Sequence, residues 1–183
     1  MITRREFVAG VACCSACTAL AGKLSGQDAD VANNEKLLAP CGLYCGSCSG
    51  YQSSNGLRPG SGSSKPGSEC DGCLGGGRSI GHVSNCAIRK CAAAKSTTQR
   101  CSGCPEFPCD IITDFNNDGI THHGEALENL RQQRAMGLKE WTKHEMDRWR
   151  CPKCPTTLAW YDAECPNCKT PRSDKLFPPQ RKA

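Results

Sequence analysis

The stretch Cys41-Gly42-Leu43-Tyr44-Cys45-Gly46-Ser47-Cys48 sets three thiols within eight residues. A loop of two or three residues lets two sulfurs grip one ion, whereas it is too tight for an ordinary structural disulfide. The pattern repeats outward along the chain. Cys70 and Cys73 stand in CDGC, Cys86 and Cys91 in CAIRKC, and Cys101, Cys104 and Cys109 in CSGCPEFPC. Near the C-terminus come Cys151 and Cys154 in CPKC, then Cys165 and Cys168 in CPNC. All fourteen are candidate metal ligands.

The apolar content between Cys41 and Cys109 explains why metal is needed. Its main large side chains are Leu43, Tyr44, Tyr51, Leu57, Leu74, Ile80, Val83, Ile88 and Phe107. Each contributes only about 1.5–3 kcal/mol when buried, against roughly 1–2 kcal/mol of backbone entropy for every residue ordered. A structural zinc site supplies on the order of 10 kcal/mol, enough to close that gap.

Charge does not point to nucleic acid. The formal +5 falls to +4 without residues 1–21, which leaves 21 basic against 17 acidic residues. Each four-thiolate zinc site carries a net −2, so three would bring the chain to about −2. A DNA or RNA partner is therefore not expected.

Residues 1–21 read as an export signal. Arg4-Arg5-Glu6-Phe7 precedes an uncharged run to Leu20, and Ala19-Leu20-Ala21 is a small-x-small cleavage site. The arginine pair resembles a twin-arginine signal, although Ala9 stands where a basic residue is usual. The expected mature chain starts at Gly22, is periplasmic or otherwise extracytoplasmic, and has no transmembrane span. Cys17, after Cys14-Ser15-Ala16, is the nearest approach to a lipid-anchoring site. Export sharpens the metal argument, because oxidising compartments turn an even fourteen cysteines toward seven disulfides. A twin-arginine cargo folds first in the reducing cytoplasm, where thiolates can load metal that then shields the sulfurs.

The remaining organisation follows from composition. Residues 22–37 read as a polar linker, residues 38–109 as a cysteine-rich metal domain, and the Gly/Ser/Pro-rich 53–68 as a projecting loop. The glycines at 75–77 before Arg78 lack the lysine and Ser/Thr of a phosphate loop and read as a turn. Residues 110–150 read as a helical pair, with Ala126, Leu127 and Leu130 on one face, Gly137 as the break, and Leu138, Trp141 and Trp149 on the second helix. Two accounts of the tryptophans stand. They cover the metal domain, or they form a partner surface with Arg131, Arg134, Lys139 and Arg148. Residues 151–170 read as a zinc ribbon, two CPxC knuckles on a hairpin whose strand is Thr156–Tyr161, ending in the tail 171–183. The knuckle-closing positions, usually glycine, hold Pro155 and Lys169. The expected fold class is a small, loop-rich, metal-stabilised α+β protein.

CGLYCGSCSGY at 41–51, CDGC at 70–73, CAIRKC at 86–91 and CSGCPEFPC at 101–109 resemble the family called domain of unknown function 3795. The likeness extends through NDGITHHGEALENLRQQRAMGLKEW to the ribbon, over roughly residues 38–170. It implies zinc binding through the cysteines and brings no reaction, substrate or catalytic residue.

Other chemistries fit less well. The Cys41-x3-Cys45-x2-Cys48 spacing is that of radical S-adenosylmethionine enzymes, but Ser47 replaces their usual aromatic and the strand–helix repeats of a barrel are missing. A plain iron–sulfur electron carrier is the stronger rival, though no ferredoxin run of C-x2-C-x2-C occurs. A thiol redox centre would need a thioredoxin-like strand and helix around its CxxC. Asp114-x-Asn116-x-Asp118-Gly119-x5-Glu125 matches an EF-hand calcium loop but lacks room for an entering helix, so a solvated turn capping the following helix is the alternative. His122 and His123 beside it read as surface or supporting groups. Closed four-thiolate sites leave no position for an activated water and argue against hydrolysis. Zinc is thus the expected cofactor, with an iron–sulfur cluster as the alternative. The expected role is binding to a protein or small-molecule partner. For the upstream sites the spacing suggests Cys45, Cys48, Cys70 and Cys73 together, and Cys86, Cys91, Cys101 and Cys104 together. Cys41 and Cys109 are then alternates or a disulfide.

Overall fold

A computed structural model of the chain describes residues 26–58, 69–76 and 81–179. The signal-like segment 1–21, residues 59–68 of the Gly/Ser/Pro-rich loop, and Gly77 with Arg78 lie outside the described residues. The described chain is built from helices α1 (Gly26–Glu35), α2 (Ser49–Ser54), α3 (Gly81–Ser84), α4 (Ala87–Lys95), α5 (Asp110–Asn116), α6 (Ala126–Met136) and α7 (Leu138–Arg148).

The expected β component is not there. Among the described residues no strand forms, and extended pairing is confined to the isolated bridges Leu38–Tyr44, Arg150–Thr157 and Glu164–Pro171. The architecture is mostly helical rather than α+β. The run Thr156–Tyr161 shows why its β propensity loses. After Thr157 the chain turns, because the Asp162 carboxylate accepts the Ala159 N–H at 2.8 Å and the Asp162 N–H reaches the Ala159 carbonyl at 3.1 Å. Leu158 and Ala159 are both buried, so the two-residue alternation of a half-buried strand is lost as well.

The stretch expected as a polar linker holds α1. Among its described side chains Val31 is the buried apolar anchor, while Asp30, Ala32 and Asn33 are exposed, and the helix lies against α7. Tertiary contacts stabilise a helix that its periodicity does not announce. Its C-terminal end is held by the buried Arg100, whose guanidinium donates to the carbonyls of Glu35 at 2.8 Å, Leu38 at 3.3 Å and Thr98 at 3.0 Å. A cation at a helix C-terminus is favoured by the peptide dipoles.

From α1 the chain folds into a tight loop. Ala39 N–H bonds the Leu43 carbonyl at 2.8 Å and Cys45 N–H bonds Leu37 at 2.7 Å. Gly42 is required at its tip. Its φ is +91°, and a Cβ there would stand 2.8 Å from Leu130 Cγ and 2.9 Å from the Ala126 carbonyl. This loop therefore seats directly on α6.

Two hydrophobic clusters organise the interior. One joins Leu37, Leu38, Leu43, Tyr44 and Cys45 to Trp141 and Trp149, and then to Cys151, Leu158, Cys165 and Leu176. The other gathers Ile88, Ala92, Cys101, Ile112, Ala126 and Leu130. The first cluster runs without a break from the N-terminal loop into the C-terminal cysteines. Residues 171–179, read from sequence as tail, contribute Leu176 to it, and Phe177 meets Trp149 edge-on at 5.5 Å. Gln52 Nε2 bonds the Thr157 carbonyl at 3.3 Å, Trp160 N–H bonds Ser47 at 2.9 Å, and Arg58 makes a two-pronged contact with Asp162 at 2.8 and 3.0 Å. Asp162→Asn should weaken both the Arg58 pair and the turn cap, lowering stability by about 1–2 kcal/mol in urea unfolding.

The tryptophans are buried, Trp141 at 3% and Trp149 at 1% exposure, and so cover the interior rather than a partner face. The basic residues beside them are also engaged. Arg134 donates to the Ser102 carbonyl at 2.6 Å and to that of Cys104, and lies over the Phe107 ring. Arg148 bridges Glu125 and the buried Glu145, and Arg131 pairs with Glu128.

Candidate metal centre

Two short hairpins carry the C-terminal cysteines. In the first, the Cys151 N–H bonds the Thr156 carbonyl at 2.9 Å and the Leu158 N–H bonds Trp149 at 2.8 Å. In the second, the Cys165 N–H bonds Thr170 at 2.8 Å and the Lys169 N–H returns to Cys165 at 3.0 Å. These turns aim four sulfurs at one point. Cys151 Sγ lies 3.6 Å from Cys168 Sγ, and Cys154 Sγ lies 3.6 Å from Cys165 Sγ. All four sulfurs lie within 4.8 Å of one another.

The chemistry follows from that spacing. A disulfide needs sulfurs at about 2.05 Å. An ion held tetrahedrally at about 2.3 Å per sulfur sets them about 3.8 Å apart. The cluster matches the second geometry, so Cys151, Cys154, Cys165 and Cys168 are positioned to bind one metal ion.

The surroundings favour the thiolate form. The Thr156 hydroxyl stands 3.3 Å from the Cys154 sulfur, and with its own N–H it brings that thiol down to about 6. The Thr170 hydroxyl, 3.2 Å from Cys168, lowers that thiol in the same way. Burial instead pushes Cys151 up to about 11, although the Lys153 N–H points at its sulfur from 3.4 Å. A bound cation would offset that burial. Thr156 and Thr170 were missed in the sequence, and their signal is legible afterwards: each stands two residues beyond the second cysteine of its knuckle.

The knuckle ends depart from glycine at a measurable cost. Lys169 adopts φ +59°, a left-handed conformation that side chains rarely take. Lys169→Gly should stabilise the metal-loaded protein by about 1 kcal/mol, read as a higher urea midpoint at unchanged slope.

The ten upstream cysteines are arranged differently. Among the described residues, no other set of three or more metal-type side chains brings its ligand atoms as close as the C-terminal four. Cys45 and Cys73 share a thiol–thiol hydrogen bond, which raises Cys45 and lowers Cys73. The Cys48 sulfur accepts the Tyr51 and Gly50 N–H groups and is raised, first by burial and then by the charges of Cys70 and Cys73. Gly72 N–H points at Cys70 Sγ from 3.4 Å, and the Gly72 backbone lies against Cys45. Burial pushes Cys101 up to about 12, and raises Cys41 further still.

The calcium-like loop spends its oxygens on the protein. Asp114 lies inside α5. The Asn116 side-chain Oδ1 accepts the Leu127 N–H at 3.0 Å, near the start of α6. Asp118 takes the Ile120 N–H at 2.9 Å and His123 Nδ1 at 2.7 Å, and Glu125 pairs with Arg148. The segment therefore serves as the turn capping the following helix. His122 is buried, stacked on Trp160 at 4.2 Å with its Nδ1 2.6 Å from the Tyr161 hydroxyl. It ties the turn to the C-terminal hairpins.

Residues 37–114 match the family model described as Protein of unknown function (DUF3795). No curated protein and no solved structure matches the chain. The matched segment contains all ten upstream cysteines and ends before α6, so the C-terminal four-sulfur centre lies beyond it.

Proposed function

With the cysteine-rich segment in that family, we propose that the chain is an exported zinc protein whose thiolate sites are structural and whose task is to bind a partner. The observation that carries this reading is the four-sulfur cluster of Cys151, Cys154, Cys165 and Cys168 at single-ion spacing. Four thiolates complete a tetrahedral shell around a soft divalent ion and leave no position for water, which suits a structural site. Cys45, Cys48, Cys70 and Cys73 form a second zinc site in this reading, supported by the Cys45–Cys73 contact and by the N–H groups directed at Cys48 and Cys70. The partner is a protein or small molecule. Export rests on Arg4-Arg5 before an uncharged run and Ala19-Leu20-Ala21.

Metal analysis after anaerobic purification tests the cofactor. The expected product is colourless and zinc-loaded. A brown protein containing iron and acid-labile sulfide would replace this reading with an electron-transfer one. Export has its own test: changing Arg4 and Arg5 together to lysine should leave metal-loaded protein in the cytoplasm. Normal export of that variant would remove the argument that metal loads before translocation.

A further inference from the structure

A cleft opens where the family-matched segment meets the first C-terminal hairpin, outside the four-sulfur centre. Leu37, Tyr44, Tyr51 and Leu57 line one side, and Pro155 to Thr157 line the other. Its volume is about 240 Å³, and none of the described residues lining it is charged. We propose that this cleft holds an extended, uncharged stretch of a partner polypeptide, with one apolar side chain against Tyr51 and Leu57 and one backbone carbonyl on the Thr157 N–H.

The two sides are locked to each other. Gln52 is buried, and its Nε2 donates to the Gly46 carbonyl at 2.8 Å and to the Thr157 carbonyl at 3.3 Å. A Cβ at Gly46 would stand 2.4 Å from Tyr44 Cζ, so glycine there lets the Tyr44 ring lie against the loop. The Tyr44 hydroxyl is engaged with Asn34 Oδ1 at 3.2 Å. On the hairpin side, the Thr156 hydroxyl faces the Cys154 sulfur and the Thr156 carbonyl takes the Cys151 N–H. The metal knuckle thus sets the edge of the cleft before a partner arrives, which lowers the ordering cost of binding.

The chemistry of that edge selects the occupant. Within the hairpin the Cys151 N–H bonds Thr156 and the Leu158 N–H bonds Trp149. Arg150 and Thr157 face each other between those two bonds, so the N–H and carbonyl of Thr157 point outward. Gln52 occupies the carbonyl, whereas the N–H has no partner among the described residues. Pro155 has no N–H to offer. The edge therefore presents one donor, matched to one peptide carbonyl, as where an open sheet edge recruits an added strand. Leu57, 56% exposed beside the half-buried Tyr51, supplies apolar surface for a side chain. An acidic or basic side chain would lose its hydration there without gaining a counter-ion. The volume falls below the roughly 300–1,000 Å³ of a self-contained small-molecule site. It suits one side chain with its flanking peptide groups.

The inference rests on the reading that the protein binds a partner, and it names the face and the chemistry of that contact. The probes are four capped peptides of sequence threonine–X–threonine–valine, with X leucine, phenylalanine, aspartate or lysine. They are added to isotope-labelled, metal-loaded full-length protein and followed by amide NMR. The leucine and phenylalanine peptides should move the Thr157 amide resonance downfield and slow its hydrogen exchange, and the aspartate and lysine peptides should not. Leu57→Asp, a change at an exposed position, should weaken the leucine peptide by about tenfold or more, the equivalent of one lost leucine contact. A Thr157 amide that no peptide moves overturns the cleft, as does equal binding of all four or unchanged binding in Leu57→Asp. If Leu57→Asp does not fold, the leucine-against-aspartate comparison on the parent protein still decides. Isovaleramide binding as tightly as the leucine peptide would make this a small-molecule site and overturn the peptide assignment. Shifts confined to residues elsewhere would keep a binding role and overturn this location. Metal analysis of the same sample reads the zinc proposal separately, since iron with sulfide would remove that reading whatever the peptides do.

Discussion

Cys154→Ser should lose one zinc per chain and unfold far more than the C-terminal hairpins. A structural zinc contributes on the order of 10 kcal/mol, comparable to the whole 5–15 kcal/mol by which a typical domain is stable. The sequence pictures an autonomous ribbon, whose loss would leave the upstream domain intact. The structure places Cys151, Leu158 and Cys165 in one cluster with Leu38, Tyr44 and Trp141. Opening the hairpins exposes that shared face and removes the Ser47–Trp160 and Gln52–Thr157 hydrogen bonds. The expected result is a single cooperative loss of near-ultraviolet tryptophan signal, with proteolysis reaching into residues 37–58. An upstream segment that keeps its protease resistance in this variant would show the hairpins to be independent after all.

Trp149→Ala should cost about 3–5 kcal/mol, the usual range for emptying a buried aromatic site. Trp149 is 1% exposed and faces Phe177, and its Nε1 donates at 3.1 Å to the carboxylate of the buried Glu145. Truncation therefore opens a cavity and removes a partner from a buried acid. Trp149→Phe separates the two effects. It keeps most of the ring but deletes the donor, and should cost about 1–3 kcal/mol. Urea unfolding with zinc held in excess measures both. If the Phe variant is as damaging as Ala, the Glu145 bond outweighs packing. If neither changes stability, Trp149 does not anchor the shared core.

Much of the C-terminal centre was legible in the sequence, because a CxxC knuckle is a local device. Two residues between cysteines fix the sulfur separation almost regardless of what lies beyond, so Cys151, Cys154, Cys165 and Cys168 could be grouped from spacing alone. Helices α6 and α7 were legible for a related reason: Ala126, Leu127 and Leu130 stand at helical spacing, Gly137 marks the break, and Leu138 and Trp141 follow it, whereas α5 at Asp110–Asn116 falls where the sequence was read as leaving no room for a helix. The strand in Thr156–Tyr161 was not, because its β-branched residues describe a preference that the Asp162 turn overrides within three positions. Helix α1 was missed because one buried Val31 leaves no periodic pattern to detect.

Sequence by itself determined which atoms can bind metal, since sulfur donors and their short loops are covalent facts. It also shows how few large apolar side chains lie between Cys41 and Cys109. Only the tertiary structure decided which segments share a core. That the C-terminal hairpins pack on Leu37, Leu38 and Tyr44, and that Cys41 stands beside Cys101 rather than apart from it, depends on contacts between residues sixty to more than a hundred positions apart. Such contacts are set by shape and burial across the whole molecule, by the missing side chain at Gly42 and the reach of Arg100 to Glu35, and no local spacing encodes them.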